Sequence, residues 1–190
     1  MFTKLKRALA RFQKDQRGSI TIESVIGLPV IMLGVVGGYG VFDMHRAATL
    51  NVKATEIVGD ILSRETGVIT PAYLAAMHST FNLLAKAEPG SALRVSVLRW
   101  DAPTSTFVAE WSRSTSEDTG AISAAHLATL ATELPAQPNY GRIIYVETWS
   151  PFTPAIRVLA QGVAGVNNGT IHNATFFTPR FTPQLQWSGG

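Results

Sequence analysis

Two groups of residues in this 190-residue chain have the types and spacing to do chemistry. The first is Gly18, Ser19 and Glu23. Glu23 is the one carboxylate in the run from Ser19 to Phe42, "SITIESVIGLPVIMLGVVGGYGVF", which holds no other charge. If the peptide bond after Gly18 is hydrolysed, Ser19 becomes an amino terminus, an ammonium of pKa about 8. Glu23 is then the fifth residue of the shortened chain, and helix positions four apart share a face. The carboxylate can compensate that ammonium, on its own chain or on a neighbour. The bland alternative is a carboxylate contacting headgroups or water near a membrane interface.

The second group is the scattered titratable set. His45, His78, His126 and His172 show no three- or four-residue spacing that would put two imidazoles on one helix face, so no local metal pair is read from them. Asp101, Glu117, Asp118 and Glu147 fall in expected turns and strand ends, where carboxylates are solvated, and they are not read as a catalytic pair. There is no Gly-x-Ser-x-Gly elbow, phosphate loop or Gly-x-Gly-x-x-Gly fingerprint. The chain is expected not to be an enzyme and to need no cofactor or metal. Asn168 and Asn173 open glycosylation-type sequons but are read as ordinary loop residues.

The elements that must position Glu23 are legible. Six basic residues and one acid precede Gly18, giving the leader net charge +5 and leaving −2 for the rest of the chain, whose total is +3. The basic pI therefore belongs to the leader, and nucleic-acid binding is not expected. With no cysteine, disulfides and thiol chemistry are excluded. The run from Ser19 to Phe42 is long enough to cross about 30 Å of hydrocarbon as a helix. It is longer than the apolar core of a secretory signal, and Asp43-Met44-His45-Arg46 follows it instead of a small-x-small cleavage site. The basic leader places the N-terminus in the cytoplasm. Pro29 lacks an amide hydrogen and is expected to kink or loosen the helix. Gly34 and Gly38 form a small-xxx-small pair that lets another helix approach closely in lipid.

With these residues in view, a basic leader followed by Gly18 and "SITIE" resembles the processing site of type IV prepilins. "GSITIESVIGLPVIML" is similar to TadE-like proteins of the TadE/TadG group, from tight-adherence pilus systems. Gly18, Glu23 and Pro29 stand where that pattern has its processing glycine, glutamate and proline. "RIIYVETWSPFTP" (Arg142 to Pro154) and "FFTPRF" (Phe176 to Phe181) resemble later strands of the family. The segment after the apolar run lacks the repeated alanine-arginine pattern common in TadE, and the chain is too short for the large inserted domain of long TadG proteins. The resemblance implies a minor pseudopilin processed after Gly18 by a prepilin peptidase in the inner membrane. Its partners would be other minor pseudopilins and a major pilin, with Glu23 serving assembly. The alternative is an unprocessed single-pass anchor carrying a periplasmic partner- or ligand-binding domain.

The expected organisation is a leader over 1–18, a membrane helix over 19–42 and a periplasmic α+β domain over 43–190. Asp43 to Glu65 continues the helix, with Ala47, Leu50, Ala54, Ile57 and Ile61 as an apolar stripe for the sheet. Thr70-Pro71 starts a second helix with Leu74, Met77, Phe81 and Leu84 on its apolar face, ended by Pro89-Gly90. Leu93–Trp100 and Thr106–Trp111 form a hairpin around "DAPTS". "SRSTSEDTG" (Ser112 to Gly120) is a polar loop, and Ser123–Glu133 a helix stopped by Pro135. Arg142–Trp149 is the most apolar strand and is expected to be central. Gln161–Thr170 is a loop and Thr175–Pro179 the last strand. Trp149, Phe152 and Trp187 are expected to be exposed lids or subunit contacts. A long helix laid on a small antiparallel sheet is α+β, the pilin-like arrangement that the resemblance also implies.

Overall fold

The computed structural model describes residues 6, 11–12, 19–134, 137–155 and 167–189. Gly18, Pro135 and residues 161–166 of the expected loop lie outside the described residues, and of Ser19 only the backbone is described. The chain divides into two compact units, residues 1–43 with 154–167, and residues 44–153 with 168–190.

In the first unit the described element is the beginning of α1, a helix over Ser19–Arg64 that runs through Pro29 without interruption. Proline there leaves the Val25 carbonyl without its usual intrahelical donor. Ile20, Ile22, Val25, Ile26, Leu28, Val30 and Ile31 are all more than 60% exposed.

The second unit holds the remainder of α1, then α2 (Pro71–Ala85), β1 (Ala92–Asp101), β2 (Thr106–Ser114), α3 (Ala124–Glu133), β3 (Arg142–Phe152) and β4 (Gly169–Phe177). The strands form one antiparallel sheet in the order β2-β1-β3-β4. It is α+β, with β3 in the interior of the sheet as its apolar sequence demands. Alternation sends Leu93, Val95, Val97, Ile144 and Val146 to one face, where they pack with Ala54, Val58 and Leu62 of α1 and Leu74 and Phe81 of α2. The opposite face carries Leu98, Trp100, Phe107, Ile143 and Tyr145 against Leu130 of α3. Both faces of β1 are therefore covered, and Arg94 and Ser96 are buried with their neighbours.

Local rules explain the helix ends. Thr70 accepts from the Tyr73 amide at 3.2 Å, and Pro71 fills the first turn, where its missing N–H costs nothing. α2 stops at Ala85 because Lys86 turns left-handed at φ 52°, four residues before Gly90. Ser123 caps α3 through the His126 amide.

Several expectations are corrected. The packing stripe of α1 is Asn51, Ala54, Thr55, Val58 and Leu62, while Ile57 is 45% exposed. The face is rotated by one residue, about 100°, because Thr55 and Asn51 bond across to the sheet. The Thr55 and Thr148 hydroxyls lie 2.8 Å apart, and Asn173 Nδ2 donates to Asn51 Oδ1 at 3.2 Å. In α2, Ala85 replaces Leu84 on the inner face, and Leu84 is exposed. β2 continues to Ser114, three residues into the expected polar loop. β4 starts six residues before Thr175 and ends at Phe177, because Ile171, Asn173 and Thr175 alternate toward α1. Phe152 is buried and Trp149 and Trp187 are half-buried.

Candidate functional site

Of the sequence-predicted site residues, Ser19, Glu23, Pro29, Gly34 and Gly38 lie along the exposed start of α1, and Gly18 lies outside the described residues. α1 is described from Ser19 onward, and Glu23 stands one turn on with its side chain exposed. A methyl added at Gly34 or at Gly38 meets nothing within 4 Å among the described residues, which leaves room there for another backbone. Among the described residues α1 is the one helix long and apolar enough to cross a membrane. Ser19 to Phe42 spans about 36 Å at 1.5 Å per residue, sufficient for a hydrocarbon core.

In the second unit α1 is joined to the sheet by polar as well as apolar contacts. Beyond the Thr55 and Asn51 bonds, the Arg180 amide donates to Ser63 O at 2.9 Å and its guanidinium reaches Asp60 at 3.0 Å. Asp60 also pairs with Arg64 one turn later at 2.9 Å, as the sequence spacing allows. Gly59 sits where a side chain would overlap the Phe177 ring. Together these residues join the last strand and the turn after it to the helix that carries Glu23.

The expectation that Glu147 is solvated is corrected. Glu147 is fully buried in β3 directly opposite Arg94 of β1. Arg94 donates to its Oε2 from Nε at 2.7 Å and to Thr119 O at 3.0 Å. The guanidinium also lies over the Trp149 ring at 5.0 Å, and Trp149 stacks on His172. Oε1 of Glu147 has no hydrogen-bond partner among the described residues. It faces His172 Nε2 at 3.5 Å and His126 Nδ1 at 3.8 Å. Burial raises the Tyr145 phenol well above its usual range, with a further push from the Glu147 and Glu133 carboxylates. Two of the histidines thus converge through the fold although no spacing relates them. Arg94 nevertheless neutralises the carboxylate, and among the described residues no group of three or more His, Cys, Asp or Glu side chains is placed to hold a metal ion. Sequence reasoning missed this pair; the cue was a glutamate inside the most apolar strand, where only a paired charge is tolerated.

Asp101 and Glu110 belong to surface pairs with Arg99 and Arg142. His78 Nε2 lies 2.9 Å from Ser91 Oγ, which donates to Asn82 Oδ1 at 2.6 Å. This network joins the last turns of α2 to the start of β1, and burial lowers the His78 pKa. Trp111 donates to Leu185 O at 2.7 Å and Arg113 lies over Trp187, fastening the C-terminal segment to β2. No family model, curated protein or solved structure matches the chain.

Proposed function

We propose that the chain is a membrane-anchored pilus-assembly subunit, a TadE-like minor pseudopilin cut after Gly18 by a prepilin peptidase. The leader stays in the cytoplasm, residues 19–42 cross the inner membrane, and the α+β domain faces the periplasm in a pilin-like arrangement. The observation that carries this reading is the lone carboxylate of an exposed apolar helix. Glu23 stands five residues after Gly18, on a helix that continues to Arg64 and there packs on an antiparallel sheet.

Cleavage would leave the anchor in place and create the ammonium at Ser19. Glu23, one turn away, would then compensate an amino terminus in the assembling bundle. A cationic partner stabilises a carboxylate at the membrane edge. Gly34 and Gly38 supply the close helix approach, and other pseudopilins and the major pilin are the partners. The chain's role in this reading is assembly, not catalysis.

The experiment co-expresses the chain with a prepilin peptidase and reads both cleavage and assembly. Gly18→Leu should block cleavage. Glu23→Ala should still be cut but fail to assemble. An uncut chain that tolerates Glu23→Gln would instead be the single-pass anchor with a partner-binding domain.

A further inference from the structure

The two edges of the sheet are built differently. β2 carries Glu110 and Arg113, and a bulge at Val97/Leu98 of β1 places Glu110 as an extra residue. Charges and bulges are how sheets discourage further strands. β4, "GTIHNATFF", has no Lys, Arg, Asp, Glu or Pro, and it pairs with β3 in unbroken register over nine residues. Among the described residues, β4 makes no backbone hydrogen bond except to β3. Beside this edge, Ile57 and Ile61 of α1 and Thr175, Phe176 and Phe177 of β4 line an open groove of about 510 Å³. These are the isoleucines that the sheet leaves unused. Two acids line the groove: Asp60, already held by Arg64 and Arg180, and Glu56, exposed and without an ion-pair partner among the described residues.

We propose that β4 is a strand-addition site for an extended segment of a different protein. Such a segment would extend the sheet through its backbone, place an apolar side chain against Ile57 and Ile61, and set a lysine or arginine against Glu56. Main-chain pairing supplies affinity in this mode of recognition, and side-chain pockets supply specificity.

A second copy of this chain does not fit the edge in antiparallel register, an exclusion that rests on the membrane-anchored reading. Asn51, Gly59 and Ser63 meet Asn173, Phe177 and Arg180 in rising order, so α1 and β4 run in the same direction. One residue separates Met44 from the end of the apolar run. Antiparallel pairing of two β4 strands would put the two tethered ends on opposite sides, out of reach of one membrane.

The test uses the full chain in lipid nanodiscs and two nine-residue peptides of alternating valine and threonine, one with a central lysine and one with a central glutamate. Amide exchange of β4 is followed on titration. The lysine peptide should slow exchange of the outward β4 amides and bind about threefold more tightly than the glutamate peptide, the size of an exposed ion pair. In Glu56→Lys the preference should reverse. No protection of β4 by either peptide would overturn the proposal, as would equal binding that Glu56→Lys leaves unchanged. Protection of β4 without peptide that rises with protein concentration would overturn it in favour of self-pairing. None of these readouts depends on cleavage after Gly18, so failure here is distinct from failure of the pseudopilin reading.

Discussion

Arg94 and Glu147 stand directly opposite each other on neighbouring strands, and Nε of the arginine meets Oε2 of the glutamate at 2.7 Å inside the sheet's covered face. Removing one partner strands a charge out of water. Arg94→Met is expected to destabilise the second unit by about 3–5 kcal/mol. The double replacement Arg94→Met with Glu147→Leu should cost much less, because it leaves no lone charge. Chemical denaturation of the wild type, the two single variants and the double variant, treated as a double-mutant cycle, measures both.

Gly59 and Phe177 make a second such pair. An alanine in a helix interior usually beats glycine, but here its methyl would overlap the Phe177 ring. Gly59→Ala should therefore destabilise by about 1–3 kcal/mol, the range for an overfilled core. Adding Phe177→Ala should make the same methyl neutral or favourable. Thermal melts of the single and double variants decide it.

These two pairs also mark how far the sequence could be read. Apolar patterning, with turn and cap residues, pointed to the helices and to β1, β2 and β3 of the second unit, because burying one face is what makes each strand and helix stable. It misplaced the inner face of α1, where Asn51 and Thr55 turn inward to bond with Asn173 and Thr148. Hydropathy scores those residues as outward, although a satisfied hydrogen bond makes their burial tolerable. The burial of Glu147 was hidden for the same reason: its partner lies 53 residues away on another strand. β4 was read too short because Gly169, His172 and Asn173 carry little β signal of their own. Their strand character comes from pairing with β3. The apolar helix from Ser19 was legible, since length and hydropathy are properties of the sequence itself.

Stability should fall on the alkaline side through Tyr73. Burial, and then the Glu65 carboxylate, push its phenol up to about 12, whereas an unfolded tyrosine ionises near ~10. A raised pKa gives stability that is complete below the unfolded value and is lost as pH rises through the folded one. The loss should therefore develop between about pH 10 and 12, and Tyr73→Phe should shrink it, leaving the part due to Tyr145. On the acid side, burial lowers the His78 pKa below its usual 6.5. Its contribution is present above that value and is lost as pH falls through the depressed one. His78→Gln should reduce the acid loss. Melting temperature against pH reads both effects.

The open side of α1 at Gly34 and Gly38 predicts a separation of stability from association. Gly34→Leu and Gly38→Leu should leave the melting of the second unit unchanged, since a Cβ added at either position meets nothing within 4 Å among the described residues. If α1 associates with other helices in a membrane, as the pseudopilin reading proposes, they should weaken that association by blocking close backbone approach. Energy transfer between labelled chains, compared with denaturation of the same variants, measures the two properties separately.

The most direct test is the mature N-terminus of the chain recovered from membranes that contain a prepilin peptidase. Terminal sequencing should return Ser-Ile-Thr-Ile-Glu, with the apolar helix still attached and the protein still membrane-bound. A chain that begins at Met1 in the presence of active peptidase, or one that has lost residues 19–42, would contradict the account.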